Sequence, residues 1–385
     1  MKNIVVILIS LFSVLNLSAQ FEDIEFGTDS TLDIVSWNIE WFPKEGQITI
    51  DYVSEILQRL DAEVFAIQEI DDEASFEQLM EGMEGWVGYH LNSSYLEMAY
   101  IYKEGVMDNV EIFEIITDKP RELPRPPLVL EMDYQGQHYV IINNHLKCCG
   151  DGELDMNDEW DEEKRRYDAC YLIDEYIMEY YPNDKVILLG DLNDILTDVP
   201  AHNVFEVFLT DADQYWFTDM GIAQGSSSGW SYPSWPSHLD HIMISSEIYD
   251  EFADEDSEIL TIKLEEHFED GWSEYDEYVS DHRPMGLKIK NISSLGTQDL
   301  LSENNKLTNY PNPFSNHTTI SFDKVESSGK LIVYNMKQQE IAQYELTKDM
   351  SRIDWNTYYL SEGVYFAKLI IASKVVAVQK MILTK

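Results

Sequence analysis

The sequence IVSWNIE at residues 34–40 alternates apolar and polar side chains along an apolar run that predicts a strand. Neighbouring side chains of a strand point to opposite faces, so Ser36, Asn38 and Glu40 share one face. Asn38 and Glu40 therefore project together where a hydrophobic strand ends. A single Asp or Asn at such a place is most often a turn residue.

Polar groups end hydrophobic strands in five further segments, which are AIQE (66–69), NNH (143–145), GDLN (190–193), LDHI (239–242) and SDHR (280–283). Six such sites beside apolar strands are hard to explain as turns alone. Carboxylate and amide oxygens suit a hard divalent ion, and imidazoles transfer protons. This inventory predicts hydrolysis of a phosphoester.

Short β-branched or apolar runs alternate with helical periodicity between residues 32 and 290, which is typical of an α+β fold. The predicted strands cover residues 33–38, 64–70, 98–102, 128–133, 139–145, 186–190, 239–244 and 285–289. The predicted helices cover residues 50–60, 75–81 and 159–180.

We expect four parts along the chain: a signal peptide (1–19), a catalytic domain (20–290), a polar linker (291–306) and a C-terminal domain (307–385). The first part has Lys2 before an apolar run that ends in small residues. That run is too short to span a bilayer, so we expect a soluble protein without a stable membrane span. We also expect this protein to be a monomer. Short alternating runs after residue 318 predict a small all-β sandwich.

The charge of the chain is strongly negative. The 385 residues include 26 basic and 72 acidic ones, which gives a net charge of -46. Residues 301–385 hold 10 basic and 8 acidic residues, so the acidic excess lies in the first 300. Such a charge excludes a protein that coats nucleic acid or anionic membranes by bulk attraction. A phosphate-bearing substrate must therefore be bound by a local site.

Three cysteines, Cys148, Cys149 and Cys170, occur in a chain that is expected to be exported and able to keep disulfides. Ring closure between adjacent cysteines is strained, so we expect Cys170 to pair with Cys148 or Cys149. Three reduced thiols are the alternative. The spacing does not fit a zinc site.

The segments resemble the endonuclease/exonuclease/phosphatase superfamily, which has the deoxyribonuclease I-like fold. The matching motifs, in the family's order, are SWNIEWF (36–42), AIQEI (66–70), NNHLK (143–147), LLGDLND (188–194), SHLDHIMIS (237–245) and SDHRP (280–284). The resemblance implies a two-sheet β-sandwich flanked by helices, with the site at one end of the sandwich.

The resemblance also implies a metal site. Glu69 matches the principal metal-binding carboxylate, and Asn38 and Asp281 match residues that assist it. Glu40 stands at a position that is acidic in some branches of the family. Mg²⁺ is the expected ion, with Mn²⁺ or Ca²⁺ as alternatives.

The same resemblance assigns catalytic roles. Asp191 and Asn193 match the pair that orients the attacking water and the phosphate. His145 matches a histidine that stabilises or protonates at the phosphate, and Asp240 matches the carboxylate that supports His282. Whether His282 or Asp191 accepts the proton of the water is left open.

Positive charge for the phosphate is scarce in this acidic domain. Arg125 matches a family position near the phosphate, and Lys147 and Arg166 are further candidates. For each of them a surface charge or a local ion pair is the alternative. The aromatic loop at residues 229–237 either stacks on a base or packs onto the sheet.

The C-terminal part resembles the sorting domain of the type IX secretion system of Bacteroidetes. The resemblance rests on NYPNPF (309–314), VYN (333–335), LSEGVY (360–365) and QKMILTK (379–385). It implies a bacterial protein that the secretion machinery exports to the medium or the cell surface, with removal of the tail. A carbohydrate-binding sandwich is the alternative.

Together these observations predict a secreted divalent-metal-dependent phosphoesterase, a nuclease or phosphodiesterase acting on extracellular nucleic acid. A phospholipid or sphingolipid phosphodiesterase, or a phosphomonoesterase of the same fold, is the first alternative. A non-catalytic surface binding module is the second, and the complete set of polar strand ends speaks against it.

Overall fold

The structure, a computed structural model, describes residues 20–90, 97–290, 307–324, 329–335, 340–348, 350–371 and 374–385. The expected signal peptide (1–19) and linker (291–306) lie outside the described residues. Within these ranges, each helix is too short or too polar to cross a membrane.

Two mixed six-stranded sheets form the part of the chain up to residue 290. Their strands are β1 (Thr31–Phe42), β2 (Val64–Ile70), β3 (Trp86–His90), β4 (Met98–Lys103), β5 (Asp108–Glu114), β6 (Leu128–Tyr134), β7 (Gln137–His145), β8 (Lys185–Asp191), β9 (Tyr215–Phe217), β10 (Asp240–Ser245), β11 (Glu258–Thr261) and β12 (Met285–Lys290). The first sheet has the order β11-β12-β1-β2-β4-β3 and the second β5-β6-β7-β8-β10-β9. Strands β1 and β2 run parallel, as do β7 and β8.

Helices cover the outer faces of both sheets, except for one short helix at Tyr249–Phe252 that packs into the core between them. They are α1 (Gln47–Leu60), α2 (Glu73–Glu81), α3 (Glu162–Tyr180), α4 (Glu206–Leu209), α5 (Met220–Ala223), α6 (Tyr249–Phe252) and α7 (Trp272–Tyr278). Helices α1, α2 and α7 pack on the first sheet, and α3 packs on the second. The predicted two-sheet sandwich flanked by helices is confirmed.

Strand β1 shows why the quoted sequence determines this architecture. Ile34 packs in the core between the two sheets, whereas Val35 and Trp37 pack under the helices of the first sheet. Ser36 and Asn38 share the face of Ile34, so their polar side chains point toward the second sheet. Both faces of the strand are buried. Their hydrogen bonds must therefore be made within the protein.

The sequence did not predict strands β3, β5, β9 and β11, which are the two edges of each sheet. Edge strands are only half covered and carry charged residues that discourage further strand pairing. Strand β5, with the sequence DNVEIFE, is half exposed and mixes three acidic residues with its apolar ones. The apolar patterns that identify central strands are weak in such segments.

Two smaller sheets follow and confirm the predicted small all-β unit. Their strands are β13 (Thr308–Tyr310), β14 (His317–Ser321), β15 (Gly329–Asn335), β16 (Glu340–Leu346), β17 (Arg352–Asn356), β18 (Gly363–Ile371) and β19 (Lys374–Leu383). They are ordered β13-β14-β17 and β16-β15-β18-β19. Trp355 and Leu331 lie in their shared core.

The C-terminal unit contacts the larger one far from the polar strand ends. Phe366 of β18 stacks on Trp216 of β9, with 5.6 Å between ring centroids. Trp216 pairs with Ile244, near the end of β10 opposite to Asp240. This contact therefore leaves the end of the sandwich that carries the polar residues uncovered.

Candidate active site

Three polar residues lie in one row across the second sheet. The register of the parallel pair β7 and β8 sets His145 beside Asp191, and the antiparallel pair β8 and β10 sets Asp191 beside Asp240. Gly190 permits this spacing: it has a φ of 133°, and a Cβ there would lie 1.9 Å from the backbone oxygen of Asn144. A side chain at position 190 would force β7 and β8 apart.

Asn38 joins the first sheet to this row. Its Nδ2 atom donates to Glu69 Oε1 at 2.9 Å and to Asp191 Oδ2 at 3.0 Å. Glu69 has a φ of 64° at the point in β2 where the register with β1 shifts, and its Oε2 accepts from the backbone nitrogen of Trp41 at 3.2 Å. The two sheets are thus hydrogen-bonded through the residues predicted at their strand ends.

His282 and Asp240 form a buried pair. His282 Nδ1 lies 2.7 Å from Asp240 Oδ2. Ser280 Oγ accepts from the His282 backbone nitrogen at 2.9 Å and donates to the carbonyl oxygen of Asn38 at 2.6 Å. The hydroxyl of Tyr275 donates to the carbonyl oxygen of His282 at 2.5 Å. The imidazole is therefore held by its backbone as well as by its carboxylate partner.

The charges around His282 favour its protonated form. Burial opposes a charged imidazole, yet the carboxylates of Asp240 and Asp191 raise the pKa of His282 well above its ordinary value. Burial likewise opposes the ionised form of Asp240, but the charge of His282 lowers the pKa of that carboxyl. His282 Nε2 lies 3.8 Å from Asp191 Oδ2 and 3.9 Å from Asp281 Oδ1, so the ring faces the acidic cleft.

His145 stands on the other side of Asp191. Its Nε2 atom lies 3.6 Å from Asp191 Oδ2 and 3.8 Å from Glu69 Oε1. Its Nδ1 atom lies 3.3 Å from Glu97 Oε2. A carboxylate on Nδ1 leaves Nε2 to face the reacting groups. Glu97 is thus the carboxylate next to His145 Nδ1, although it lies farther away than Asp240 does from His282 and makes no hydrogen bond to the ring.

Sequence reasoning missed Glu97 and gave Arg125 a different role. Arg125 Nε donates to Glu97 Oε2 at 2.5 Å, and its NH1 lies 3.3 Å from the carbonyl oxygens of His145 and Leu146. Burial opposes ionisation of Glu97, but the neighbouring imidazole of His145 and the charge of Arg125 lower the pKa of this carboxyl. Arg125 thus supports the end of β7. No motif marks Glu97, which directly precedes β4.

Negative charge accumulates at Asp281 and Glu40. The backbone nitrogen of Asp281 donates to Glu40 Oε2 at 2.9 Å, and Lys44 binds the same carboxylate. Burial raises the pKa of Glu40 despite Lys44, and the charge of Asp281 adds to this rise. Burial also raises the pKa of Asp281, where the charge of Glu69 counteracts that of His282. Glu40 contacts Asp281 and Lys44, so its carboxylate is already engaged.

These residues line a cleft of about 540 Å³. Its carboxylates belong to Glu40, Glu69, Glu163, Asp191, Asp194, Asp198 and Asp281. Asn193 also lines the cleft, and its backbone nitrogen donates to Asp191 Oδ1 at 3.1 Å. Asn38 and Asp240 are fully buried behind this lining.

Among the described residues that line the cleft, Arg166 is the one Lys or Arg. Its Nε donates to Asp194 at 2.9 Å, its NH1 donates to the carbonyl oxygens of Lys147 and Cys149 at 2.7 Å each, and its NH2 lies 3.3 Å from Glu163. The guanidinium is thus occupied by protein groups. Lys147 and Arg125 line a neighbouring pocket instead.

This donor set fits a divalent cation. A phosphate meets several carboxylates in the cleft and no free guanidinium or ammonium group among the described lining residues. Burial raises the pKa values of Glu40 and Asp281, and the charges of neighbouring carboxylates add to this rise; a cation would relieve that repulsion. Glu69, His145 and Asp191 also bring one ligand atom each within 4.8 Å of one another. Oxygen-rich donors of this kind suit Mg²⁺, Mn²⁺ or Ca²⁺.

The expected disulfide to Cys170 is absent, which corrects the sequence-based pairing. All three cysteines are free thiols. Cys170 is buried in α3, and the close pair consists of Cys148 and Cys149, whose sulfur atoms lie 2.9 Å apart. The three cysteines are thus reduced, which was the alternative to a disulfide in the sequence analysis.

Aromatic side chains frame the opening of the cleft. Trp41 is 69% exposed and Trp235 is 78% exposed, and both line the cleft. Tyr232 packs on His282 with 4.8 Å between ring centroids. Trp230 turns away and donates through Nε1 to the carbonyl oxygen of Ile222. Within the aromatic loop, Tyr232 therefore packs on His282, whereas the ring of Trp235 is exposed at the cleft.

A second buried cluster, also missed from sequence, underlies the strand end of Asp240. Asp219 Oδ2 lies 3.0 Å from His238 Nε2 and 2.6 Å from His241 Nδ1. Burial opposes the carboxylate, yet the charge of His241 and hydrogen bonds from both rings lower the pKa of Asp219. His238 and His241 lie on either side of Asp240 in the chain, so this cluster fixes the backbone around it.

We expect Asp219→Asn to lower the free energy of unfolding by about 3 kcal/mol, because it leaves two buried imidazoles without their shared carboxylate. Urea unfolding followed by tryptophan fluorescence measures the change. The control is Asp211→Asn, which removes an exposed charge of the same segment and should change the free energy by less than about 0.5 kcal/mol. Equal stability of the two variants would contradict the role of the cluster.

Comparisons with known proteins agree with this geometry. Residues 35–282 match the profile described as the Endonuclease/Exonuclease/phosphatase family, and residues 308–384 match the profile described as the Secretion system C-terminal sorting domain. A comparison with curated proteins gives no match.

Solved structures resemble the chain in fold. Humanized D. rerio TDP2 is 15% identical with a TM-score of 0.50, over 68% of this chain and 99% of that chain. D. rerio TDP2 complexed with a single strand DNA product is 16% identical with the same TM-score and coverage. A family protein from Bacteroides thetaiotaomicron is 15% identical, over 68% of this chain and 95% of that chain, with a TM-score of 0.45.

Proposed function

This chain belongs to the Endonuclease/Exonuclease/phosphatase family, and on that basis we propose that it is a secreted, divalent-metal-dependent phosphodiesterase that cleaves extracellular nucleic acid. The observation that carries the proposal is the cleft, where two carboxylate-supported imidazoles face a group of carboxylates. Such a site can bind a phosphate only with additional positive charge, and it has the groups to move protons.

We assign the cation to Glu69, Asn38 and Asp281. Asn38 Nδ2 donates to Glu69 Oε1, and Asn38 Oδ1, the atom that would bind a cation, accepts from the backbone nitrogen of Glu40 at 2.9 Å. Glu40 would position Asp281 through its backbone amide rather than bind the ion as its main ligand. When bound, a divalent ion neutralises phosphate oxygens and stabilises charge on the leaving group.

The side chains of the chain itself supply positioning and proton transfer. Asp191, held by Asn38 and by the backbone of Asn193, would orient the attacking water. His145 and His282 present their Nε2 atoms from opposite sides of Asp191. In its protonated form, His282 donates a hydrogen bond to the phosphate and stabilises its negative charge. Asp240 holds the orientation of His282 through its Nδ1 atom, and Glu97 is the charged group beside Nδ1 of His145.

Nucleic acid is the substrate class that the exposed aromatics support. Trp41 and Trp235 offer flat faces at the opening of an acidic cleft that cannot attract polyanions by charge. Stacking on bases adds affinity without reading sequence. The solved structure of D. rerio TDP2 holds a single strand DNA product, so this fold has room for such a strand in that protein.

Trp41→Ala and Trp235→Ala should each lower kcat/KM on single-stranded DNA about tenfold, because one stacked base is lost. An oligonucleotide with abasic positions beside the cleavage point should lower kcat/KM of the wild type by the same factor. It should not lower kcat/KM of the variants any further. Trp160→Ala removes an exposed tryptophan outside the cleft and serves as the control. Equal losses of the variants on intact and abasic strands would contradict stacking.

A hydrolysis panel tests the function as a whole. The full chain is incubated with single-stranded DNA, RNA, sphingomyelin vesicles and a small phosphomonoester, each with Mg²⁺, Mn²⁺ or Ca²⁺. We expect cleavage of nucleic acid that requires a divalent ion. Turnover of sphingomyelin alone would establish the lipid alternative, and no turnover of any substrate would indicate a binding module.

The sorting tail supports an activity outside the cell. Residues 308–384 form a secretion sorting domain of the type IX system. We propose that residues 1–19 direct export, that residues 20–290 carry the activity and that the unit from residue 307 onward is removed after secretion. The proposed catalytic residues all precede residue 291, so the shortened chain keeps its activity.

A further inference from the structure

Two adjacent thiols line the cleft, and the proposed hydrolysis does not use them. Cys148 is half-buried and Cys149 is exposed, and both belong to the cleft wall. Cys149 Sγ donates to Cys148 Sγ at 2.9 Å. The third cysteine, Cys170, is a buried thiol on α3. The structure thus separates an accessible pair from an inaccessible single thiol.

The backbone of the loop accounts for the closeness of the two sulfur atoms. Cys149 has a φ of 71°, and the following Gly150 has a φ of 117°. This left-handed turn wraps the chain around Arg166, whose NH1 binds the carbonyl oxygens of Lys147 and Cys149. Adjacent residues of an extended chain point their side chains apart, so the turn is what brings these thiols to one side.

The surroundings make Cys148 the better nucleophile of the pair. The ammonium group of Lys147 donates toward Cys148 Sγ at 3.6 Å, so this sulfur is a hydrogen-bond acceptor. The thiol of Cys149 donates toward this sulfur, and that hydrogen bond raises the pKa of Cys149. The pair therefore has one sulfur suited to attack and one placed to resolve the product.

We propose that Cys148 and Cys149 form a reversible redox site that alternates between a dithiol and a vicinal disulfide. With a small disulfide as oxidant, the Cys148 thiolate attacks one sulfur and releases the other as a thiolate. Cys149 then loses its proton, attacks Cys148 Sγ and releases the second thiolate. The protein pair loses two electrons and two protons, and the small disulfide is reduced to two thiols.

Ring strain makes this bond a switch instead of a permanent cross-link. Consecutive Cα atoms lie about 3.8 Å apart, which is less than the roughly 4.4 to 6.8 Å found in ordinary disulfides. Strained disulfides are more easily reduced and are the labile ones. Secretion exposes the chain to an environment where thiols oxidise, so both states are accessible to the exported protein.

Oxidation should also affect hydrolysis, a consequence that rests on the proposed function. The pair follows His145 by three positions, and the intervening carbonyl oxygen of Leu146 accepts from Asn193 Nδ2 at 3.2 Å. The ring would contain the peptide between Cys148 and Cys149, and Arg166 NH1 binds the carbonyl oxygens of the peptides on either side of it, so closing the ring would strain both contacts. We expect the oxidised chain to cleave DNA several-fold more slowly, because a small displacement of catalytic groups lowers the rate.

The test equilibrates the native full chain in glutathione buffers of increasing oxidised fraction, followed by acid quench, alkylation and peptide mass mapping. We expect Cys148 and Cys149 to lose two hydrogen atoms together and to regain them with dithiothreitol, while Cys170 stays a thiol. Cys170→Ala should behave like the wild type. Cys149→Ser should accumulate glutathione on Cys148 instead.

Three results would overturn the redox site: stable glutathione adducts on the wild-type pair, a bond from either cysteine to Cys170, or no oxidation of the pair. Because mass mapping needs no substrate, it decides the redox site even if the chain cleaves no DNA. That outcome would contradict the proposed function alone. An oxidised chain with unchanged turnover would contradict the coupling to His145.

Discussion

Glu69→Gln is expected to lower kcat/KM for cleavage of single-stranded DNA by at least about a thousandfold, because the cation loses its main anionic ligand. The amide keeps the size of the side chain, so the hydrogen bonds at the junction of the sheets can largely re-form. Glu69 lines the cleft and accepts from Asn38 Nδ2. Initial rates over a range of Mg²⁺ concentrations measure the loss, and the Tm measures the fold.

The matched control for this variant is Asp71→Asn. Asp71 lies two positions further along the chain, is exposed and does not line the cleft. The substitution Asp71→Asn removes the same charge from the same segment, so it should change kcat/KM less than about twofold. Near wild-type turnover of Glu69→Gln, with an unchanged Tm, would show that the carboxylate does not hold the cation.

The second large effect concerns the buried pair of Asp240 and His282. We expect Asp240→Asn and His282→Ala each to lower kcat by about a hundredfold or more, since a positioned imidazole contributes that much to catalysis. The double variant should lose little beyond the worse single variant. Two residues that act as one unit give non-additive losses. The geometry behind this is the 2.7 Å contact of Nδ1 and Oδ2.

A surface pair of the same kind offers the control. His138 Nδ1 lies 2.9 Å from Asp133 Oδ1 at the hairpin of β6 and β7, outside the cleft. Asp133→Asn and His138→Ala should leave kcat unchanged. If the losses of Asp240→Asn and His282→Ala multiply in full, Asp240 does not act through His282. We would then assign it to binding of the cation or to support of the fold.

The central part of the fold follows from the sequence because its strands are buried on both faces. Strand β8 is a nearly continuous apolar run and β1 alternates polar residues with large apolar ones, so the polar residues at their ends are conspicuous. The edge strands β3, β5 and β11 are only partly buried and lack this contrast, and β9 is buried but only three residues long, so the sequence did not indicate them. Residues at the ends of central strands were therefore identified, although the contacts between them were not.

Pairing between distant residues is what the sequence leaves undetermined. Arg125 and Glu97 are far apart in the sequence and no local pattern connects them, although they form an ion pair. Arg125 was therefore expected at the phosphate. Arg166 was expected to bind substrate, yet it is buried among Asp194, Glu163 and two carbonyl oxygens. A surplus of acidic residues means that most cations have several possible partners. Only the packed chain selects among them.

The dependence of hydrolysis on a divalent cation tests the central claim most directly. The full chain is stripped of metal with a chelator, dialysed, and assayed on fluorescently labelled single-stranded DNA while Mg²⁺ is added back. We predict no cleavage above background without the ion and a saturable recovery of turnover with it, which Glu69→Gln shifts to higher concentration or abolishes. Full turnover of the wild type in excess chelator would contradict the proposed chemistry of the cleft.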